Sequence, residues 1–313
     1  MGALRRFAPW IWHKPAILLV LATMMWAGNA VASRALAGQM SPGTVVIVRW
    51  LVVCAVLWPF LGKRFVATLP QLRQNWRYFA LMGGLGYTAF NILFYSAAYY
   101  TTAVNLTLLQ CAIPIFVMLG AFLFTGHSVR AAQIAGMVIS TIGVLLVAGA
   151  GDLQNVAKLA FNIGDVMALV ACALYAGYTL NLRRLPSLDP MVFFAAMALA
   201  AALAGLPYFI GEVVSGHSFW PTQRGYIVVI YVALFPSLIS QILYMRGVAL
   251  IGASRAGLFS NLVPVFGSVL AVVILGESFH IYHAVALALG LGGVFVSEHL
   301  AKPEPVVRPT GTA

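Results

Sequence analysis

Charge is what this chain has least of: 8% of its 313 residues are charged, against roughly 25% in an ordinary soluble domain. Set beside 62% hydrophobic residues and a mean hydropathy of +0.95, that scarcity excludes a water-soluble fold, which has no way to hide so much apolar surface. Acidic residues are fewest. All seven, Asp152, Asp165, Asp189, Glu212, Glu277, Glu298 and Glu304, fall in loops, tails or at the ends of apolar stretches. Proton-coupled pumps usually carry a carboxylate or histidine at depth, and none is evident. Facilitated movement, or coupling by some other device, is therefore expected, and strongly cationic substrates are disfavoured because nothing would neutralise them. Cysteine is scarce as well: Cys54, Cys111 and Cys172 are an odd set inside apolar segments, without the spacing of a metal site or a disulfide framework. They read as small core residues, and no motif calls for a cofactor.

The net charge of +11 does not point to nucleic acid, because the 18 Lys and Arg lie almost entirely between apolar stretches. Those stretches are the dominant feature. A membrane span needs about 20 mostly apolar residues to cross about 30 Å of hydrocarbon, and ten segments qualify: 16–36, 44–61, 78–99, 104–124, 131–148, 163–182, 191–210, 225–244, 254–275 and 281–297. The first is too long for the apolar region of a signal peptide and is expected to be retained. Connections are short, which leaves no soluble domain, and the tail at 301–313 is expected to be disordered and cytoplasmic. With the short segment 1–15 on the cytoplasmic side, fourteen Lys and Arg fall inside. Arg34, Lys158 and Arg224 fall outside, and Arg49 lies within the second span. Positive residues are retained on the cytoplasmic side, so both termini are expected there, in a cell inner membrane.

The two halves repeat. Trp26-Ala27-Gly28 aligns with Tyr175-Ala176-Gly177, Ser41-Pro42 with Asp189-Pro190, and Pro59 with Pro207. Asn91-Ile92-Leu93-Phe94 aligns with Gln241-Ile242-Leu243-Tyr244; at that offset Pro114 falls on Pro264, Gly126 on Gly276 and Gly143 on Gly293. The fold class predicted is an all-α membrane protein of ten transmembrane helices, a first five-helix repeat over 16–150 and a second over 151–300. An odd number of spans per copy makes the repeats inverted, and exchange of their conformations gives alternating access.

Polar side chains inside spans are costly unless they face a cavity or a partner, which nominates the path. In the third span Tyr87, Asn91, Tyr95 and Tyr99 recur every four residues, and the eighth offers Ser237, Gln241 and Tyr244. Trp26, Asn29 and Ser33 form a face on the first span, matched by Tyr175 and Tyr178 on the sixth; an interfacial aromatic belt is the alternative for Tyr99 and Tyr100. Asn105, Gln110, Ser254, Ser260 and Asn261 lie upstream of Pro114 or Pro264, where each helix should kink or hinge and free carbonyls that a substrate ammonium can use. Arg49 stands five residues past Thr44, within reach of the outer surface by snorkelling. The sharper alternative has it meet a substrate carboxylate or lock the outer gate.

Trp26-Ala27-Gly28-Asn29, Arg49, Asn105 to Pro114, and Asn261-Leu262-Val263-Pro264 running to Gly276-Glu277 resemble the EamA-type family of the drug/metabolite transporter superfamily, over roughly residues 15 to 300. Within it the chain is most similar to the bacterial aromatic amino-acid exporter branch. The resemblance implies export of amino acids and similar metabolites through a cavity between the halves. The family's terminal glutamate carries over to Glu277 alone, since the first half has Gly126-His127 there.

The expected partners are a small-molecule substrate and the lipid bilayer, with no nucleic acid; the expected state is a monomer, a homodimer through glycine-lined faces being the alternative. A permease for a different neutral solute is the competing function. A membrane-embedded enzyme would need a cluster of ionisable groups, for which only Glu277, His280, His283 and His217, on the outer side, offer an imaginable zinc site.

Overall fold

The computed structural model describes residues 10–125, 131–152, 154, 161–181, 188–219, 221–251, 256–257 and 259–299, whose regular structure is entirely helical. The tail at 301–313 and Gly126, His127, Ser254, Arg5, Arg6, Arg130, Lys158, Arg183, Arg184, Arg255, Lys302 and Arg308 lie outside the described residues.

The helices α1 (Pro15–Leu36) and α2 (Pro42–Gln74) each open on a proline, where the missing N–H has no intrahelical partner to lose. With 33 residues, α2 runs about 50 Å, well past the hydrocarbon thickness. Its first half is the expected second span; the rest, with Lys63, Arg64 and Arg73, is a charged extension that Pro59 and Pro70 do not end. Next come α3 (Trp76–Leu81), a π-helical segment (Met82–Ala89) and α4 (Phe90–Ala97), continuous as one rod. The expected fourth span is two pieces, α5 (Ala103–Leu109) and α6 (Ala112–Thr125), followed by α7 (Ala131–Ala148).

The second half follows the same plan: α8 (Ile163–Asn181), α9 (Pro190–Val214), α10 (Gln223–Val232), a second π-helical segment (Ala233–Ile239) and α11 (Ser240–Ile251). A 3₁₀ turn (Phe259–Asn261) then leads into α12 (Leu262–Leu275), and α13 (Ile281–His299) ends the described chain. Seven helical stretches among the described residues are long and apolar enough to cross a membrane. The rod over 76–97 and the apolar helices Phe259–Leu275 and Ile281–Val296 stand where the remaining expected spans fall. Side chains such as Phe60, Phe124, Val273 and Ile281 are exposed on the bundle exterior, a liability in water that acyl chains remove.

Packing pairs the halves throughout. α1 lies against α11 and α12, α8 against α4 and α6, α2 along α9, and α7 along α13. The last pair approaches most closely at Gly143 and Gly293. A Cβ at Gly143 would stand 2.8 Å from the Ala286 carbonyl oxygen, and Ser140 Oγ donates to Gly290 O across the same contact. Small residues let membrane helices touch in this way, where apolar attraction between helices is weak.

The two ends of the bundle differ. At the end holding 37–41, 98–102, 215–219, 221–222 and 276–280, first-half groups bond to second-half groups repeatedly. Gly43 N donates to both Glu212 oxygens, at 3.1 and 3.0 Å; Ala103 N and Val104 N donate to Glu277, both at 2.9 Å. Thr101 Oγ1 donates to Asp165 and Thr222 Oγ1 to Gln39 Oε1, both at 2.6 Å. Carboxylates on exposed helix N-terminal N–H groups are favourable both as hydrogen bonds and against the helix dipole. At the opposite end, among the described residues, the polar links are fewer: an Arg64–Asp189 ion pair at 3.9 Å between exposed side chains, a 3.5 Å contact from Tyr78 OH to Asn181 O, and Arg246 Nε, which donates to Trp12 O at 3.3 Å. One end is stitched shut and the other is not. Glu277→Gln, which turns one acceptor against two N–H donors into a donor, is expected to lower stability by about 1–2 kcal/mol, read as the thermal unfolding midpoint of the detergent-purified protein.

Candidate functional site

Inside the bundle, reaching from α1, α2 and the first π segment to α8, α11 and α12, lies a cavity of about 450 Å³. This is within the roughly 300–1,000 Å³ of small-molecule sites, enough for one metabolite and too little for a macromolecule. Its lining runs from Asn29, Arg49 and Ser237 to Thr179, Gly257 and Ser260, which stand beside the connections of the unstitched end.

Of the residues nominated from sequence, Trp26, Asn29, Tyr87, Asn91, Gln110, Tyr175, Tyr178, Gln241, Tyr244 and Asn261 all line this cavity, together with Arg49, Pro114 and Pro264. Tyr95 and Tyr99 do not. Tyr95 is buried behind the wall with its hydroxyl on Asn29, and Tyr99 sits at the stitched end, donating to Met40 O at 3.2 Å. The reason is helical drift: a spacing of four turns about 40° per step on a 3.6-residue helix, so a stripe that begins at Tyr87 has left the cavity by Tyr99. Asn105 is also at the stitched end, bonded to Thr101 and to His283.

The aromatic side chains form a connected wall. Tyr87 stacks on Trp50 at 4.9 Å, Tyr178 follows at 5.4 Å from Tyr87, Tyr175 at 5.4 Å from Tyr178 and Phe90 at 5.3 Å from Tyr175; Trp26 packs directly on Tyr244 at 4.9 Å. Trp50 and Phe90 escaped the sequence reading because an apolar aromatic in a span carries no polar signal. Adjacency to Arg49, and to the stripe at Asn91, was the available clue. Gly86 makes the wall possible: Tyr178 ring atoms lie 2.6 Å from where a Cβ would be, so only glycine lets α8 come this near the π segment. Both π segments occupy matching places in the halves and flank the cavity, one centred on Gly83, Gly84 and Gly86 and the other on Pro236. A π turn widens the helix locally, a common feature of functional regions.

Arg49 does not snorkel. Its side chain turns inward and is buried at 7% exposure. Nε donates to Ser237 Oγ at 2.6 Å; Nη1 donates to Asn91 Oδ1 at 2.7 Å and Tyr95 OH at 2.8 Å, with Asn29 Oδ1 further off at 3.4 Å. Tyr95 OH in turn donates to Asn29 Oδ1 at 2.9 Å, and Ser237 Oγ donates to Val232 O at 2.6 Å. This bonded set, not the length of the side chain, decides its direction: four neutral acceptors within the bundle replace the water a surface arginine would find. Arg49 thus ties three first-half elements to the second-half Ser237.

The kinks fall where the prolines place them. α5 ends at Leu109, short of Pro114, and the 3₁₀ turn ends at Asn261, short of Pro264. The Gln110 carbonyl that Pro114 cannot bond is taken up by Ile113 N at 3.0 Å, so the kink leaves less free acceptor than its sequence implies. At the stitched end, the Glu277, His280 and His283 run is engaged otherwise. Glu277 holds Ala103 and Val104, and His283 Nδ1 accepts from His280 N while Nε2 meets Asn105. Among the described residues no three His, Cys, Asp or Glu side chains gather to hold a metal.

The model of the EamA-like transporter family matches this chain twice, over residues 13–149 and 162–298. The chain belongs to the EamA-like transporter family. Among curated relatives it is similar to the uncharacterized transporter YyaM of Bacillus subtilis, at 26% identity over 83% of this chain and 85% of that one. An uncharacterized transporter of Clostridium kluyveri is 24% identical over 91% and 93% of the two chains. A probable terminal-alkyne amino-acid exporter of Streptantibioticus cattleyicolor is 27% identical over 69% and 71%. A solved crystal structure shares the fold at a TM-score of 0.63 and 21% identity, covering 93% of this chain and 99% of that one. This is an integral membrane protein of a transporter family.

Proposed function

We propose that this protein moves small metabolites, amino acids foremost, out of the cell across the inner membrane by alternating access, through ten spans in two inverted five-helix repeats with both termini cytoplasmic. The observation that carries this is a cavity walled by both halves and closed over at one end by carboxylates on helix N-termini. Exchange of α1 with α8, α2 with α9, the π-bearing rods with each other, α5–α6 with α12, and α7 with α13 carries the principal packing pairs onto one another, α1 with α11 and α12 onto α8 with α4 and α6, and leaves α2–α9 and α7–α13 in place, in keeping with a two-fold axis in the membrane plane. Positive charge favours placing the stitched end outside, so the cavity faces the cytoplasm.

An amino-acid substrate is supported by the exporter relative and by the aromatic wall, which suits a neutral side chain, aromatic ones first. A monomer suffices, because one chain encloses the whole cavity. Pro114 and Pro264 serve as the hinges of α5–α6 and α12; Pro264→Ala is expected to slow transport about tenfold with little change in binding, measured as counterflow rate against Kd. The decisive experiment is counterflow of labelled neutral amino acids into liposomes holding the purified protein. Exchange should occur and should fall in Trp26→Ala, Asn91→Ala and Gln241→Ala proteins; failure of every amino acid to exchange would defeat the amino-acid reading.

A further inference from the structure

We infer that the cavity recognises its substrate by a carboxylate, held at Arg49, and takes aromatic-bodied carboxylates whether or not they carry an amino group. The inference rests on the transport reading above and specifies its substrate class.

Arg49 Nε and Nη1 are spent on Ser237, Asn91, Tyr95 and Asn29, whereas Nη2, which carries two further N–H donors, has no acceptor among the described residues. All the acceptors in use are neutral. No Asp or Glu lines the cavity, and among the described residues the one Lys or Arg ion pair is Arg64–Asp189 at the unstitched end. A cation buried in a membrane protein without a counter-charge is costly and is retained where function needs it. Next to it the buried Trp50 Nε1–H also lacks an acceptor among the described residues, and the guanidinium carbon stands 5.0 Å from the Trp50 ring. Arg49 therefore brings to the cavity wall a positive charge with no counter-charge and an Nη2 whose donors are unspent, the pattern that a carboxylate completes by a charge-assisted hydrogen bond to the guanidinium.

The rest of the wall consists of aromatic rings, aliphatic side chains and neutral groups such as Gln110, Gln241 and Asn261, and among the described residues it holds no carboxylate to neutralise an ammonium. An amine entering there gives up water without gaining a counter-charge, so the α-amino group is dispensable and an amine alone is excluded.

The test uses wild-type protein in liposomes and four labelled probes of one shape: L-phenylalanine, 3-phenylpropionate, phenylalaninamide and phenethylamine. Both acids should exchange, each binding at least about tenfold tighter than the amide or the amine. 3-Phenylpropionate flux should also respond to an imposed membrane potential, since it carries a net charge that the zwitterion lacks. Arg49→Gln should erase the preference for acids and Arg49→Lys should keep part of it. If the amide or the amine exchanges as well as the acids, or if a folded Arg49→Gln protein discriminates like wild type, the carboxylate anchor is wrong while the transporter stands. If none of the four moves or binds, both readings fall.

Discussion

Asn91→Leu is expected to lower stability by about 2 kcal/mol and to abolish measurable transport. Asn91 Oδ1 is the shortest acceptor for Arg49 Nη1, at 2.7 Å, and both side chains are buried. Leucine fills a similar volume but leaves a charged N–H facing hydrocarbon, and a hydrogen bond to a charged group contributes about 1.5–3 kcal/mol. A second substitution separates the two effects. Adding Arg49→Met to Asn91→Leu removes the charge as well as its acceptor, and replacing a buried polar pair by apolar residues is often neutral or stabilising. The double variant should regain most of the thermal midpoint while remaining inactive. A double variant as unstable as Asn91→Leu would mean that Asn91 acts through packing alone.

Gly293→Val is the other large effect, expected to cost about 3 kcal/mol or prevent insertion of folded protein altogether. A Cβ at Gly293 would sit 2.2 Å from Ser140 Oγ and 2.4 Å from the Gly136 carbonyl oxygen. Backbone of the neighbouring helix cannot yield as a flexible side chain can, so α13 must separate from α7 along its length. The measure is the folded, monodisperse fraction recovered after detergent extraction. Gly177→Val, at a position with open space around its Cβ, is the matched control for valine in a membrane helix.

Much of this arrangement was legible because a membrane penalises polarity. Trp26, Asn29, Asn91, Gln241 and Asn261 stood out as polar or amphipathic side chains in apolar runs, and all of them line one cavity. Pro114 and Pro264 marked the breaks in two expected spans, and glycines at matching positions marked the closest helix pair. The direction of Arg49 was not legible. Five residues from the end of a span, its side chain reaches water outward or the bundle inward equally well, and the partner that settles it, Ser237, lies 188 residues away. The π segments were hidden too, because one extra residue per turn leaves the apolar pattern almost unchanged while it alters which side chains share a face. Tyr95 and Tyr99 left the cavity face for a simpler reason, the drift of a four-residue spacing on a 3.6-residue helix.

The stitched end also breaks the equivalence of the two copies. Its clasping carboxylates, Asp165, Glu212 and Glu277, all belong to the second copy, and the first copy contains no Asp or Glu at all. Inversion would reproduce this clasp at the opposite mouth only if the first copy supplied its own acids, which it cannot. The two access states of the proposed cycle are therefore unequal in energy. The empty carrier should wait with its mouth to the cytosol, ready to load at low internal solute, and bound cargo must help to undo the clasp before release.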